Sequence, residues 1–116
     1  MLTIYGIKNC DTVRKARAWL ATRGIEYQFH DFRTDGLTDQ LVSKWISQVG
    51  WVTLVNKRST SWRLLDDTIR KKLSDTNIVS VLTQNPTLIK RPVVTLGEAI
   101  IIGFKEDEFI TVVASL

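Results

Sequence analysis

Only one cysteine, Cys10, occurs in the 116 residues, so no disulfide can form within the chain. Histidine is equally scarce. His30 stands alone in a strand-like run, without a cysteine or second histidine near it, which argues against a metal site there. There is no internal repeat, low-complexity tract or linker. The longest apolar run, Ala99 to Ile102, is far too short to span a bilayer. The first residues enter strand-like sequence without the basic stretch and apolar core of a signal peptide, and a cytoplasmic location is expected. Basic residues outnumber acidic ones by 16 to 12, yet they form no long block and no nucleic-acid motif. The net charge of +4 fits an ordinary solvated surface and equally a few cations serving an anionic ligand. The length is that of one domain, able to bury about two-thirds of its unfolded surface without metal or cross-links.

The hydrophobic periodicity gives an element order. Leu2 to Gly6 alternates like a short strand and stops at glycine. Asn9, Cys10 and Asp11 form a turn into a helix whose Val13, Ala16 and Leu20 share one face, with Gly24 as its stop. Ile25 to Phe32 is strand-like, so the opening has the size of a parallel βαβ unit. From Thr38 to about Gln84 the pattern is helical. Leu41, Trp45 and Ile46 make a stripe ending near Gly50, and Asn56 to Ser61 is turn-like. Leu65 to Leu73 and Ile78 to Leu82 are shorter helical patterns, and Asn85-Pro86 closes the region. Val93 to Leu96 and Ala99 to Ile102 flank Gly97-Glu98 as a hairpin, and Lys105 to Ala114 is a weaker closing helix. The reading is α/β, βαβ then ββα, one domain over 1–116 with a helical insert at about 38–85. Of the four tryptophans, Trp19 and Trp45 fall at core spacing, whereas Trp62 sits among charged residues in a loop-like stretch and is expected to be partly exposed.

A lone cysteine is commonly a small buried hydrophobe. Cys10 instead follows a strand and precedes a helix, where backbone N–H groups and the helix dipole favour an anion. Lys8 and Arg14 add positive charge nearby in sequence, an environment that favours a reactive thiol. Three residues on stands Val13, so there is no C-x-x-C pair. Turnover at Cys10 therefore needs a second thiol from outside the chain. Arg91-Pro92 leads into the second strand pair. Taken alone it reads as an ordinary trans proline at a strand start, since cis X-Pro bonds make up only about 5–6% in folded proteins. Arg58, in Asn56-Lys57-Arg58-Ser59, reads by itself as a surface arginine.

The run Ile4-Tyr5-Gly6-Ile7-Lys8-Asn9-Cys10-Asp11-Thr12-Val13-Arg14-Lys15-Ala16 resembles the active-site loop of the ArsC/Spx family (arsenate reductase-like). Asn85-Pro86-Thr87-Leu88-Ile89-Lys90-Arg91-Pro92-Val93 resembles its second hallmark, and Gly103-Phe104 before an acidic segment resembles its closing stretch. The likeness covers essentially the whole chain and is closest to the small YffB-type ArsC-like branch. It implies a thioredoxin-like fold with an inserted helical subdomain, Cys10 as the catalytic cysteine, a cis bond before Pro92, and Arg91 and Arg58 as oxyanion-binding arginines. Guanidinium groups suit that task because their planar fork can hold two oxygens at once. The arsenate reductases of the family carry a third arginine where this chain has Gly103, and Asp11 follows the cysteine here. Both departures disfavour a multiply charged oxyanion.

The resemblance thus implies a thiol reductase that uses glutathione as co-substrate, acting on a small-molecule or protein disulfide. Cys10 would be the nucleophile, with Lys8, Asn9, Arg58, Arg91 and Pro92 forming the substrate or glutathione site. No bound cofactor or metal and no membrane or nucleic-acid partner is expected. Two alternatives accompany this reading: an Spx-like transcriptional regulator that binds RNA polymerase, and a genuine arsenate reductase coupled to glutaredoxin.

Overall fold

A computed structural model describes residues 1–116. The chain opens with β1 (Thr3–Gly6), α1 (Asp11–Thr22) and β2 (Gln28–Asp31). The helices α2 (Asp39–Val49), α3 (Trp51–Leu54), α4 (Thr60–Leu64), α5 (Asp67–Lys71) and α6 (Ile78–Gln84) follow, with a 3-10 turn over Pro86–Leu88. It closes with β3 (Val93–Leu96), β4 (Ala99–Ile102) and α7 (Glu106–Val113). These elements form two compact units. Residues 1–36 with 91–116 carry the sheet, and residues 37–90 carry the helices between β2 and β3.

In the sheet unit the strand order is β2-β1-β3-β4. β1 and β2 run parallel, joined through α1, whereas β1–β3 and β3–β4 are antiparallel. The result is a thioredoxin-like mixed sheet. The period-two alternation of the strands sends Leu2, Ile4, Val94 and Ile101 to one face. There they meet Ala16, Trp19 and Leu20 of α1 and Phe109 of α7 in one buried core. Phe109 is the hub of the aromatic part. It lies edge-on to Trp19 with ring centroids 5.6 Å apart, and edge-on to Phe104 at 4.9 Å, a geometry that aromatic quadrupoles favour. α7 forms despite its β-branched Thr111, Val112 and Val113. Glu106, Asp107 and Glu108 in its first turn complement the helix dipole, and burial of Phe109 anchors it. The second strand is shorter than the pattern Ile25 to Phe32 suggests. Pairing runs only from Thr3↔Gln28 to Gly6↔Asp31, because β1 offers four residues to pair with.

In the helical unit Val42, Trp45, Leu54, Val55, Ile78, Leu82, Leu88 and Ile89 are buried, and α2 packs on α3 and α6. The buried line of α2 is Val42 and Trp45, not the Leu41–Trp45–Ile46 stripe read from spacing. Leu41 and Ile46 flank it half-buried, because the large Trp45 centres the buried stripe between them. The segment read as a turn to Ser61 ends two residues earlier. Ser59 accepts the Trp62 backbone N–H at 3.1 Å and starts α4 at Thr60. Trp62 is accordingly on a helix instead of a loop, half-buried, with the Lys57 ammonium 5.7 Å from its ring centroid. The pattern from Leu65 to Leu73 contracts to α5, which begins after Asp66 because its carboxylate accepts the Thr68 N–H at 2.8 Å. A single antiparallel bridge, Val55↔Ile89, ties the end of α3 to the segment after the 3-10 turn. Asn56 N–H donates to Leu88 O at 2.7 Å and Lys90 N–H to Leu54 O at 2.9 Å on either side of it.

Candidate functional site

The approach of β1 to α1 places the cysteine. Gly6 ends β1, and a Cβ added there would lie 2.7 Å from Val13 Cγ2, so strand and helix meet where only a hydrogen fits. From Gly6 the chain passes through buried Ile7 and exposed Lys8 and Asn9 to half-buried Cys10. Cys10 is the N-cap residue of α1, with extended backbone at φ −129° and ψ 121°. Its carbonyl accepts the Arg14 N–H at 2.9 Å, while its side chain caps none of the first-turn N–H groups. Those donors lack intrahelical partners, so they are available to an anion or ligand beside the sulfur. Arg14, counted from the sequence as a cation near the thiol, instead pairs with Asp11 on the surface. The acid that follows the cysteine is thus neutralised by its own helix.

The Arg91–Pro92 bond is cis, so the trans bond that base rates favour is replaced by the one the resemblance implies. Pro92 is buried, and its carbonyl accepts the Gly103 N–H at 2.8 Å. Tyr5 pairs with Val93. β1 thus ends, and leads into Lys8–Cys10, at the same end of the sheet where β3 begins, just after half-buried Arg91 and Pro92. Lys8, Asn9, Cys10, Arg91 and Pro92 therefore gather at one end of the sheet. Gly103 has φ +86°, a left-handed backbone that an arginine would adopt only with strain.

Arg58 belongs to the helical unit. It is exposed in the turn between α3 and α4, where its N–H donates to Asn56 Oδ1 at 3.0 Å. With Lys57 and Lys90 it lines an open cleft of about 450 Å³ that has no acidic residue in its wall. Asp31 went unmarked in the sequence, where nothing separates it from the other aspartates. It is the one buried charged side chain. Paired with Gly6 across the β1–β2 ladder, it fixes the turn after β2 by accepting the Arg33 N–H at 2.7 Å, while its own N–H donates to Asp35 Oδ2 at 2.9 Å. No group of three or more His, Cys, Asp or Glu side chains is assembled that could hold a metal, and no helix is long and apolar enough to cross a membrane.

The ArsC family profile matches residues 5–112. An uncharacterized protein of Haemophilus influenzae is 51% identical over 109 residues, 94% of this chain and 96% of its own length. The global transcriptional regulator Spx of Streptococcus pyogenes is 32% identical over 110 residues, 93% of this chain and 81% of its own. Among solved structures, the YffB protein superposes with a TM-score of 0.91 at 35% identity, covering 96% of this chain and 97% of its own.

Proposed function

The chain belongs to the ArsC family, and on that premise we propose that it is a thiol-dependent reductase with Cys10 as its nucleophile and glutathione as its co-substrate. The observation that carries the reading is the seat of the sulfur. It is half-exposed at the N-cap of α1, beside free first-turn N–H groups and at the same end of the sheet as Arg91 and cis-Pro92. The Cys10 thiolate attacks one sulfur of a disulfide or glutathionylated substrate. A mixed disulfide forms and the other sulfur leaves as a thiolate that takes up a proton. Because no second cysteine exists in the chain, the mixed disulfide is broken by the sulfur of an added glutathione thiolate. Cys10 returns as the thiolate, and the glutathione is left in a disulfide with the group that Cys10 carried, which is glutathione disulfide when that group is itself glutathione. Where that group is the substrate, a second glutathione reduces the remaining disulfide and leaves as glutathione disulfide. Arg91 holds a carboxylate of glutathione or of the substrate, with Lys8 and Asn9 at the rim. Arsenate is not the substrate proposed, since Gly103 occupies the position where the resemblance implies a third arginine and its backbone suits glycine.

Incubation with glutathione disulfide followed by intact mass measurement tests this. One glutathione adduct per chain is expected, removed by added glutathione and absent in Cys10→Ser. A Cys10→Ser protein that keeps its reductase turnover would end the reading. The 32% identity to Spx favours a second one, a regulator that binds RNA polymerase. Recovery of polymerase subunits on the immobilised chain, undiminished in Cys10→Ser, would favour it over the enzyme.

A further inference from the structure

The charge of the chain is unevenly divided. Residues 37–90 hold eight basic and four acidic side chains and the sheet unit eight of each, so the net +4 belongs to the helical unit. Within it the excess lies between Lys57 and Lys72. The two acids of that stretch are engaged locally, Asp66 as the cap of α5 and Asp67 in an ion pair with Arg70. Lys57, Arg58, Arg63, Lys71 and Lys72 are exposed, and none is ion-paired.

The same stretch exposes apolar side chains. Leu64 at the end of α4 is 81% exposed and Ile69 of α5 is 40% exposed. Contacts tie the two short helices of this stretch together. Lys57 stands over the Trp62 ring, and Arg70 donates to the carbonyl of Trp62 at 3.1 Å, coupling α5 to α4. At the other end Lys57 and Arg58 border the cleft that Lys90 also lines. One exposed leucine needs no explanation, but aliphatic side chains set among unpaired cations describe a recognition surface.

We infer that the stretch from Lys57 to Lys72 of the helical unit docks an acidic protein segment in which carboxylates are interspersed with aliphatic side chains. The cations meet the carboxylates, and Leu64 and Ile69 are covered by the aliphatic groups. A nucleic-acid strand would satisfy the cations through its phosphates and leave both aliphatic side chains without a partner. The inference is independent of the chemistry at Cys10.

Fluorescence anisotropy with the full chain tests it. The probe is a labelled peptide of Glu-Glu-Leu repeats, compared with polyglutamate and single-stranded DNA of equal length. The Glu-Glu-Leu peptide should bind saturably and more tightly than either control. Its affinity should fall about tenfold in Arg63→Glu/Lys71→Glu, from the loss and reversal of two surface charges. It should fall about fivefold in Leu64→Ser, from the lost apolar burial. Both variants alter exposed positions, and circular dichroism checks that they fold. No saturable binding, or binding equal in all variants, overturns the proposal. Tighter binding of the DNA, abolished by the charge reversals, overturns it in favour of a nucleic-acid surface.

Discussion

Replacing Gly6 by alanine should destabilise the sheet unit through a single contact. The new methyl would lie 2.7 Å from Val13 Cγ2, against the roughly 3.5–4.0 Å at which carbon atoms attract. Val13 is fully buried and β-branched within α1, so it has little freedom to swing aside. Overpacking of this kind costs about 1–3 kcal/mol, and relief of the strand penalty of glycine offsets about 0.5–1 kcal/mol. A net loss of about 1–2 kcal/mol follows. Val13→Ala alone removes two methyl groups and leaves a small cavity, a loss of about 2 kcal/mol. In the double variant the alanine methyl at position 6 enters the space that Cγ2 has vacated. The two effects should therefore fall short of additive by about 1 kcal/mol or more. Urea denaturation followed by far-UV circular dichroism, on the wild type and three variants, gives the cycle. Additivity within about 0.3–0.5 kcal/mol would refute the contact as the cause.

Cys10→Ser should keep the fold and raise stability by up to about 1 kcal/mol, since a serine hydroxyl at this N-cap can accept a first-turn N–H that the thiol leaves uncapped, while abolishing glutathione adduct formation; urea midpoints and intact mass check both. Arg91→Lys keeps the charge and loses the planar fork, and should lower reductase turnover about tenfold with the fold retained, as steady-state kinetics and circular dichroism would show. Phe109→Ala removes the ring that Trp19 and Phe104 meet edge-on and should cost about 3–5 kcal/mol in urea unfolding, enough to threaten folding of α7. Ser59→Ala removes the cap of α4 and should cost about 1 kcal/mol by the same measurement.

The parts of the fold legible in the sequence are those whose local signals agree. α1 shows Val13, Ala16 and Leu20 at helical spacing, and the hairpin shows two β-branched runs around Gly97. In the helical unit the signals are weak, because its helices are short and capping residues decide their limits. Ser59 and Asp66 fix where α4 and α5 begin, although the sequence reads Ser59 as part of a polar turn and Asp66 as a position within the Leu65 to Leu73 helical pattern. On α2 the spacing allowed neighbouring stripes, and tertiary packing selected Val42 with Trp45. At the candidate site, the turn between strand and helix exposed Cys10 to a sequence argument. The role of Arg91-Pro92 did not emerge that way, since an X-Pro pair carries little information about its isomer. Asp31 was illegible because burial of one aspartate depends on which strand end it meets.

The sheet is built from two stretches of chain that are synthesised far apart. Thr3 pairs with Gln28 early, but its partner on the other side, Thr95, lies beyond the whole of residues 37–90. During translation the segment bearing Cys10 therefore leaves the ribosome with one flank of β1 bare, and that flank stays bare until the helical unit has been made. Closing the sheet is a long-range event with a correspondingly large loop-closure cost, so it should come late in folding. Until then the nascent chain carries an open strand edge together with its only thiol.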